Sequence, residues 1–455
     1  MTQIVQINVS QTVAPTPSTL QRTGALISQG GTTLTPGAKT LITQLADLTP
    51  ILQTPKAITS LAWATGVVTV TTTAPHGYTN GTTIGLTIAG AAPAAYNGSF
   101  QATITGASTF TYPLVNNPGS ATVQGTVVSS SVAELTAMAT TFYAQGAALS
   151  VYVLELGAVT NAAAVTALGT YIANNPGTIY SYEVPRAWAD EASYVTFVTN
   201  YSSNTSKTYF FTRVTEANES SFPTTVKSVF KIIEAPTIPA TEFTAAAPHW
   251  VTLNYNPSPA NQVTPLCFAY LQGVTTFPAT GPQQTTFKAD NVNYVTTGAE
   301  GGISNLMLLW GRMSDARPFN YWYSVDWVQI NLQLSIANEI INGSNNPLAP
   351  LYYNQAGINR LQARAAKTMT SAVSYGLALG QVITTALPQA EFVQNLDAGK
   401  YAGQIVINAI PFAAYSALNP SDYKDGIYSG LSAVYTPARG FEQIIFNLNV
   451  TDFVA

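Results

Sequence analysis

The side chains best suited to nucleophilic, acid–base or metal chemistry are few in this chain: His76 in APHGYT, His249 in APHWVT and Cys267 in PLCFAYL. A catalytic triad needs an imidazole held against a hydroxyl or thiol by a third group. Neither histidine sits in such a context, and no GxSxG elbow or cysteine-protease signature occurs. His76 reads as a turn residue and His249, next to Trp250, as a structural one. One cysteine and two distant histidines cannot furnish a zinc site. Cys267 has no intramolecular disulfide partner and reads as a small buried hydrophobe. Asp422 and Asp425 in DYKDG lack the alternating oxygen ligands and closing Glu of a calcium loop, so they read as a solvated turn ending at Asp425-Gly426. The glycine pairs of SQGGTT and AEGGIS lack the spacing that aims backbone N–H groups at a phosphate, and read as turns. The expectation is therefore of no catalytic residues, no cofactor and no metal: not an enzyme.

The aromatic cluster RPFNYWYSVDW, with Phe319, Tyr321, Trp322, Tyr323 and Trp327, could stack on a sugar. It could equally form a core seam or protein interface, which is favoured because no pair of carboxylates accompanies it. Hydrophobic residues make up 46% and charged residues only 8% of the 455, leaving Thr, Ser, Asn, Gln and Gly to cover the surface. So weakly repelling a surface suits extensive permanent contacts, and a secreted or adhesive β protein would share it. A net charge of −4 offers no basic stripe for nucleic acid. No basic-then-apolar leader and no apolar run of membrane-spanning length is present, so the expected place of synthesis is a cytoplasm, without membrane insertion.

These residues need elements to hold them, and the chain divides by composition. Between Lys56 and Glu134 there is no charged residue. This desert holds GVVTVTTTA, TIGLTIAG, GSFQATITG, STFTYPL and ATVQGTVV, β-branched runs punctuated by Gly, Asn and Pro, which predict a small all-β insertion. Helical and strand patterns then alternate: SVAELTAMATTFYAQGAA, SVYVLEL, a helix opened by Asn161, TIYSYEV, a helix with the acidic start DEASYV, and SKTYFFTRV. Such alternation predicts parallel pairing through crossovers, an α/β domain. From Asp326 to Asn342, Trp327, Ile330, Leu334, Ala337 and Ile341 recur at helical spacing, with Asp326 as N-cap, predicting a nearly buried helix. A second helix spans Ala356 to Tyr375 and is ended by Gly376. GQIVINAI and YSGLSAVY follow as strands. Both ends of the chain alternate apolar and amide residues as strands do: Val5, Ile7 and Val9 on one face of MTQIVQINVS, and Ile444, Phe446, Leu448 and Val450 in GFEQIIFNLNVTDFVA.

The stretch from SDARPFNYWYSVDW to SYGLALG resembles the characteristic region of contractile phage tail sheath proteins. That pattern falls on Gly311, Pro318, Phe319, Val325, Asp326, Trp327, Pro347, Tyr353, Gly357, Ile358 and Gly376, and the closing strand after Arg439 is similar too. The resemblance covers roughly 129–455 plus a short N-terminal piece. The insertion resembles small β modules of phage tails and baseplates at His76, Gly77, Gly81, Thr82, Ile88, Gly90, Tyr96, Asn97, Gly98 and Phe100.

The resemblance implies an α/β (α+β) multidomain chain. Its parts would be an N-terminal arm (1–20), a sheath core (21–56 and 129–325), an inserted all-β domain on the tail exterior (57–128), a C-terminal domain facing the inner tube (326–440) and a C-terminal strand arm (441–455). Asp326, Trp327, Gly357 and Gly376 carry its core motif. It implies a self-assembling helical stack of rings, with a tail tube protein and baseplate and tail terminator proteins as partners. The product would be a virion component, assembled in the host cytoplasm, whose contraction drives the tube through an envelope. Val5, Ile7, Val9, Ile444, Phe446, Leu448 and Val450 would form intersubunit strands, with NQVTPL or the residues around Arg439 as flexible joints. The alternative is a tail-associated carbohydrate-binding adhesin or fibre protein, favoured by Thr-rich β segments and abundant Tyr.

Overall fold

The computed structural model describes residues 19–146, 149–298 and 304–442. Its body is a six-stranded sheet in the order Val229–Ile233, Tyr209–Val214, Ser181–Glu183, Gly24–Ser28, Val151–Glu155 and Lys39–Ile42. The first five strands are parallel and the last is antiparallel to its neighbour. Successive residues of a strand face opposite sides, and here both sides are core. Leu26, Val153 and Phe211 join one apolar cluster with Leu135, Met138 and Phe142 of the helix Ser130–Ala144. Ala25, Ile27, Leu154 and Phe210 join the other with Val165 and Leu168 of the helix Asn161–Asn174. Burial on two faces is what crossover helices impose on parallel strands. The N-cap of this second helix is Thr160, whose hydroxyl accepts from the Ala163 amide, and Asn161 is its first residue.

Residues 56–129 close into a barrel of six antiparallel strands: Lys56–Ala64, Val67–Thr72, Thr109–Pro113, Gly98–Ile104, Thr83–Ala89 and Thr126–Ser129. Val68, Val70, Leu86, Ile88, Ala102, Ile104, Phe110 and Tyr112 fill its interior. Outside, hydroxyls pair across strands, Thr87 with Ser99 at 2.8 Å and Thr83 with Thr103 at 3.3 Å. That is how a barrel wall does without charge. The strand Lys56–Ala64 escaped the sequence analysis because its alternation is broken by a register shift between Ile58 and Ser60. It pairs with the last strand at Lys56↔Val127, so the barrel joins the body through two adjacent strand ends. His76 is buried in the connection between Val67–Thr72 and Thr83–Ala89, stacked on Tyr78 with its Nδ1 accepting from the Tyr78 amide.

The long helix begins at Phe319, not Asp326, and runs to Ser344. Pro318 holds the extended conformation that precedes it, and Phe319, Trp322 and Tyr323, at i, i+3 and i+4, drive its first turn into the core. Apart from Gly343, its buried residues lie in its first half; Leu334 and Ile341 are 43% and 41% exposed. An antiparallel partner helix, Gln355–Ser374, packs alongside and covers a three-stranded sheet, Gln381–Thr385, Gln404–Ala409 and Leu431–Val434.

Candidate assembly surface and buried polar sites

Doubly wound sheets take ligands outside the carboxyl ends of their strands, where the strand order reverses. Here that place lies beyond Gly24–Ser28 and its neighbour Ser181–Glu183. The SQGGTT turn does present a concave set of donors there, but the protein's own Glu155 fills it. Its Oε1 accepts from the Gly30 and Gly157 amides, both at 2.6 Å. Its Oε2 accepts from the Ser28 hydroxyl at 2.7 Å and from the Thr32 hydroxyl and amide at 2.7 and 3.1 Å. Five donors converging on a buried carboxylate leave none for a phosphate. The clasp instead fixes the turn against the barrel root, where Gln53 N donates to Gly31 O and Ser131 Oγ to Gln29 O.

The fold also assembles a constellation that the chain's linear order hid. Ser181 Oγ lies 2.8 Å from His249 Nε2, and His249 Nδ1 lies 3.2 Å from Glu183 Oε2. All three are buried, under Phe142 and Phe211. Burial pushes the imidazole down to about 3 and the Glu183 carboxyl well up, so for each it disfavours the charged form. With all three side chains buried, this constellation is a polar seam between the sheet and the helix Ala246–Leu253. A related role falls to Arg186, whose fork grips Glu234 at 3.0 and 3.1 Å while Arg213 adds a third bond at 2.9 Å.

Of the motif residues, Asp326, Trp327 and Gly376 lie at one end of the helix pair and Gly357 at the other. Asp326 is buried inside the long helix rather than capping it, and its Oδ2 accepts from the Tyr209 hydroxyl at 2.7 Å and the Tyr180 hydroxyl at 2.9 Å. It thereby ties the helix to the central sheet; burial raises its carboxyl above the usual Asp range. Trp327 is half-buried, edge-on to Tyr375 with ring centroids 5.5 Å apart. Gly357, in the first turn of the partner helix, donates to the Asn354 cap at 3.0 Å, and the Tyr352 carbonyl oxygen occupies the space a Cβ would need. Gly376 takes φ +70° and closes that helix, its amide donating to Val373 O while Leu377 N donates to Ala372 O. Of the RPFNYWYSVDW aromatics, Phe319, Trp322 and Tyr323 are core, so they form no sugar platform. NQVTPL is not a free joint: Val263 N donates to Tyr375 O, Gln262 Nε2 to Ser374 O, and Leu266 is buried.

The candidate assembly surface is the C-terminal sheet. Its centre, Gln404–Ala409, is paired on both sides, parallel to Gln381–Thr385 through Gln404–Asn408 and antiparallel to Leu431–Val434 through Val406–Ala409. The outer edges of those two flanking strands have no strand partner among the described residues; a single side-chain bond, Gln362 Nε2 to Thr385 O, touches one of them. Unpaired main-chain edges of this kind are templates for an added strand. The chain leaves the described region close by: Ala438 N donates to Leu377 O, and Glu442 is gripped by the Arg312 guanidinium. Val5, Ile7, Val9, Ile444, Phe446, Leu448 and Val450 lie outside the described residues.

No protein-family model matches the chain, and no curated protein does. Among solved structures it is similar to a chain of the anti-feeding prophage baseplate, at 12% identity over 99% of this chain and 100% of that one, with a TM-score of 0.49. It is likewise similar to the helical sheath of the anti-feeding prophage in its contracted state, at 11% identity over 99% of both chains, TM-score 0.49. A sheath tail protein from Listeria innocua matches at 12% identity over 79% of this chain and 88% of that one, TM-score 0.40.

Proposed function

We propose that the chain is a structural subunit of a contractile tail sheath, whose functional object is a helical polymer around an inner tube. The observation that carries this reading is the C-terminal sheet, with two edges that no strand among the described residues pairs, in a chain whose terminal segments alternate apolar and amide residues. An added strand satisfies the edge N–H and C=O groups through directional bonds. Donation from each copy to the next is a head-to-tail contact, which generates an open helical array instead of a closed dimer. The motif residues shared with tail sheath sequences support the same reading, since Asp326, Gly357 and Gly376 are each tied to a specific structural demand.

In this assembly, 1–20 and 441–455 are strand arms, and Val5, Ile7, Val9, Ile444, Phe446, Leu448 and Val450 form the intersubunit strands. Residues 21–56 and 129–325 are the core, 326–440 faces the tube, and the barrel of 57–128 stands on the exterior. The tube, baseplate and terminator proteins are the partners, and the complex belongs to a virion assembled in a host cytoplasm. Contraction draws on the difference between two packings of the same subunits and drives the tube through the host envelope.

Electron microscopy of the purified full-length chain, beside a chain lacking 447–455, tests the proposal. The full chain is expected to form hollow ringed tubes, and the truncated one to stay folded by circular dichroism but unassembled. Tubes formed equally well by both would overturn the role given to the C-terminal strand.

A further inference from the structure

A polar cleft of about 290 Å³ opens at the foot of the long helix, walled by Ser202, Thr224, Thr225, Lys227, Arg317 and Trp322. Two observations set it apart from ordinary surface relief. First, Lys227 is 1% exposed, yet among the described residues its Nζ donates only to Ser206 O, at 2.8 Å, and otherwise lies 4.4 Å over the Trp322 ring. An ammonium carries three N–H donors, and the two carboxylates whose charge reaches Lys227, those of Asp326 and Asp315, take their hydrogen bonds from other donors. Second, the Ser202 hydroxyl oxygen is buried without a hydrogen-bond partner among the described residues. Arg317 sits at the rim, its side chain 48% exposed, over Tyr321 and Trp322 at 4.9 and 5.1 Å.

The one carboxylate in the wall, Asp315, is engaged inward. Its Oδ1 accepts from the Arg317 amide at 3.1 Å and its Oδ2 from the Trp322 indole at 2.9 Å, leaving the Arg317 guanidinium 4.0 Å away with its fork open. The wall itself carries two cations against one carboxylate, and behind it Lys227 also feels the buried Asp326 and Lys207. Two cations in one wall are conspicuous in a chain with 17 Lys and Arg among 455 residues.

We propose that this cleft binds one carboxylate or phosphate group, with Arg317 making the rim contact, Lys227 supplying the positive field from the floor, and the hydroxyls of Ser202, Thr224 and Thr225 orienting the oxygens. The group comes either from a small free anion or from an acidic side chain of a second copy of this chain.

Calorimetric titration of the unassembled full-length chain with citrate and with inorganic phosphate, at constant ionic strength set by chloride, separates the two sources. Saturable binding that Arg317→Gln weakens about tenfold or more identifies a free-anion site, one charged hydrogen bond being worth that much. Arg317→Gln should leave the melting temperature unchanged because the side chain is at the rim. If neither anion saturates, a critical concentration for assembly raised about tenfold by Arg317→Gln at low salt, and equalised at high salt, identifies an acidic side chain of the neighbour. No saturation together with unaltered assembly overturns the proposal. A wild-type chain that never assembles counts against the sheath reading alone, and the titration then decides this one by itself.

Discussion

Replacing Glu155 by Gln removes one charge and one acceptor oxygen from a site where five donors converge, while changing the side-chain volume little. With the amide oxygen kept toward Gly30 N and Gly157 N, the new NH2 group faces the Ser28 and Thr32 hydroxyls, which can rotate to accept, and the Thr32 amide, which cannot. The orphaned amide costs about 1–3 kcal/mol. The two remaining amide bonds drop from charged to neutral strength, about 1 kcal/mol each. The expected loss is therefore about 3–5 kcal/mol, and the flipped rotamer, which orphans two amides, is worse. Urea unfolding followed by tryptophan fluorescence measures it. Trp188 reports on this turn because its indole donates to Gln29 Oε1 at 3.0 Å. A loss below about 1 kcal/mol would show that water or backbone movement replaces the carboxylate, and that the clasp does not hold the barrel root.

The acid limb of stability tests the buried seam. His249 is held at about 3 in the folded state, below its ordinary value near 6.5, so its contribution is complete above 6.5 and is lost as pH falls toward 3. Glu183, raised by burial, acts in the opposite sense: its contribution is present at acid pH and is lost as pH rises above the ordinary Glu range. His249→Gln should flatten the fall in urea midpoint between pH 6.5 and 3, and an unchanged slope would contradict the assignment. At the helix end, Gly376→Ala should cost about 1–2 kcal/mol for forcing a Cβ into the left-handed region. Gly357→Ala should cost about 1–3 kcal/mol as the Tyr352 carbonyl is displaced. Urea midpoints within a few tenths of a kcal/mol of the wild type would refute either.

Residues 21–56 were silent in the sequence because the central strand Gly24–Ser28 is five residues long and buried on both faces, so it has no alternation to betray it. The same shortness hid the edge strand Lys39–Ile42. The Asp326 assignment failed for a different reason. An Asp before an apolar run is a capping signal only while its carboxylate is free to fold back on the helix, and here two tyrosine hydroxyls, 117 and 146 residues away in sequence, take it instead. Likewise, Ser181, Glu183 and His249 share no local pattern, since their meeting depends on a helix crossing the sheet.

What the chain determined by itself was what local chemistry dictates: the uncharged β insertion from its β-branched runs, the crossover alternation after Ser130, the second long helix with its glycine stop, and the scarcity of reactive groups. Tertiary structure alone decided which carboxylates were buried, that the SQGGTT donors were already taken by Glu155, and which edges of the C-terminal sheet no described strand pairs. The division has one physical cause: propensity and periodicity act over neighbouring residues, whereas burial and hydrogen-bond partnership are settled between residues that only the folded chain brings together.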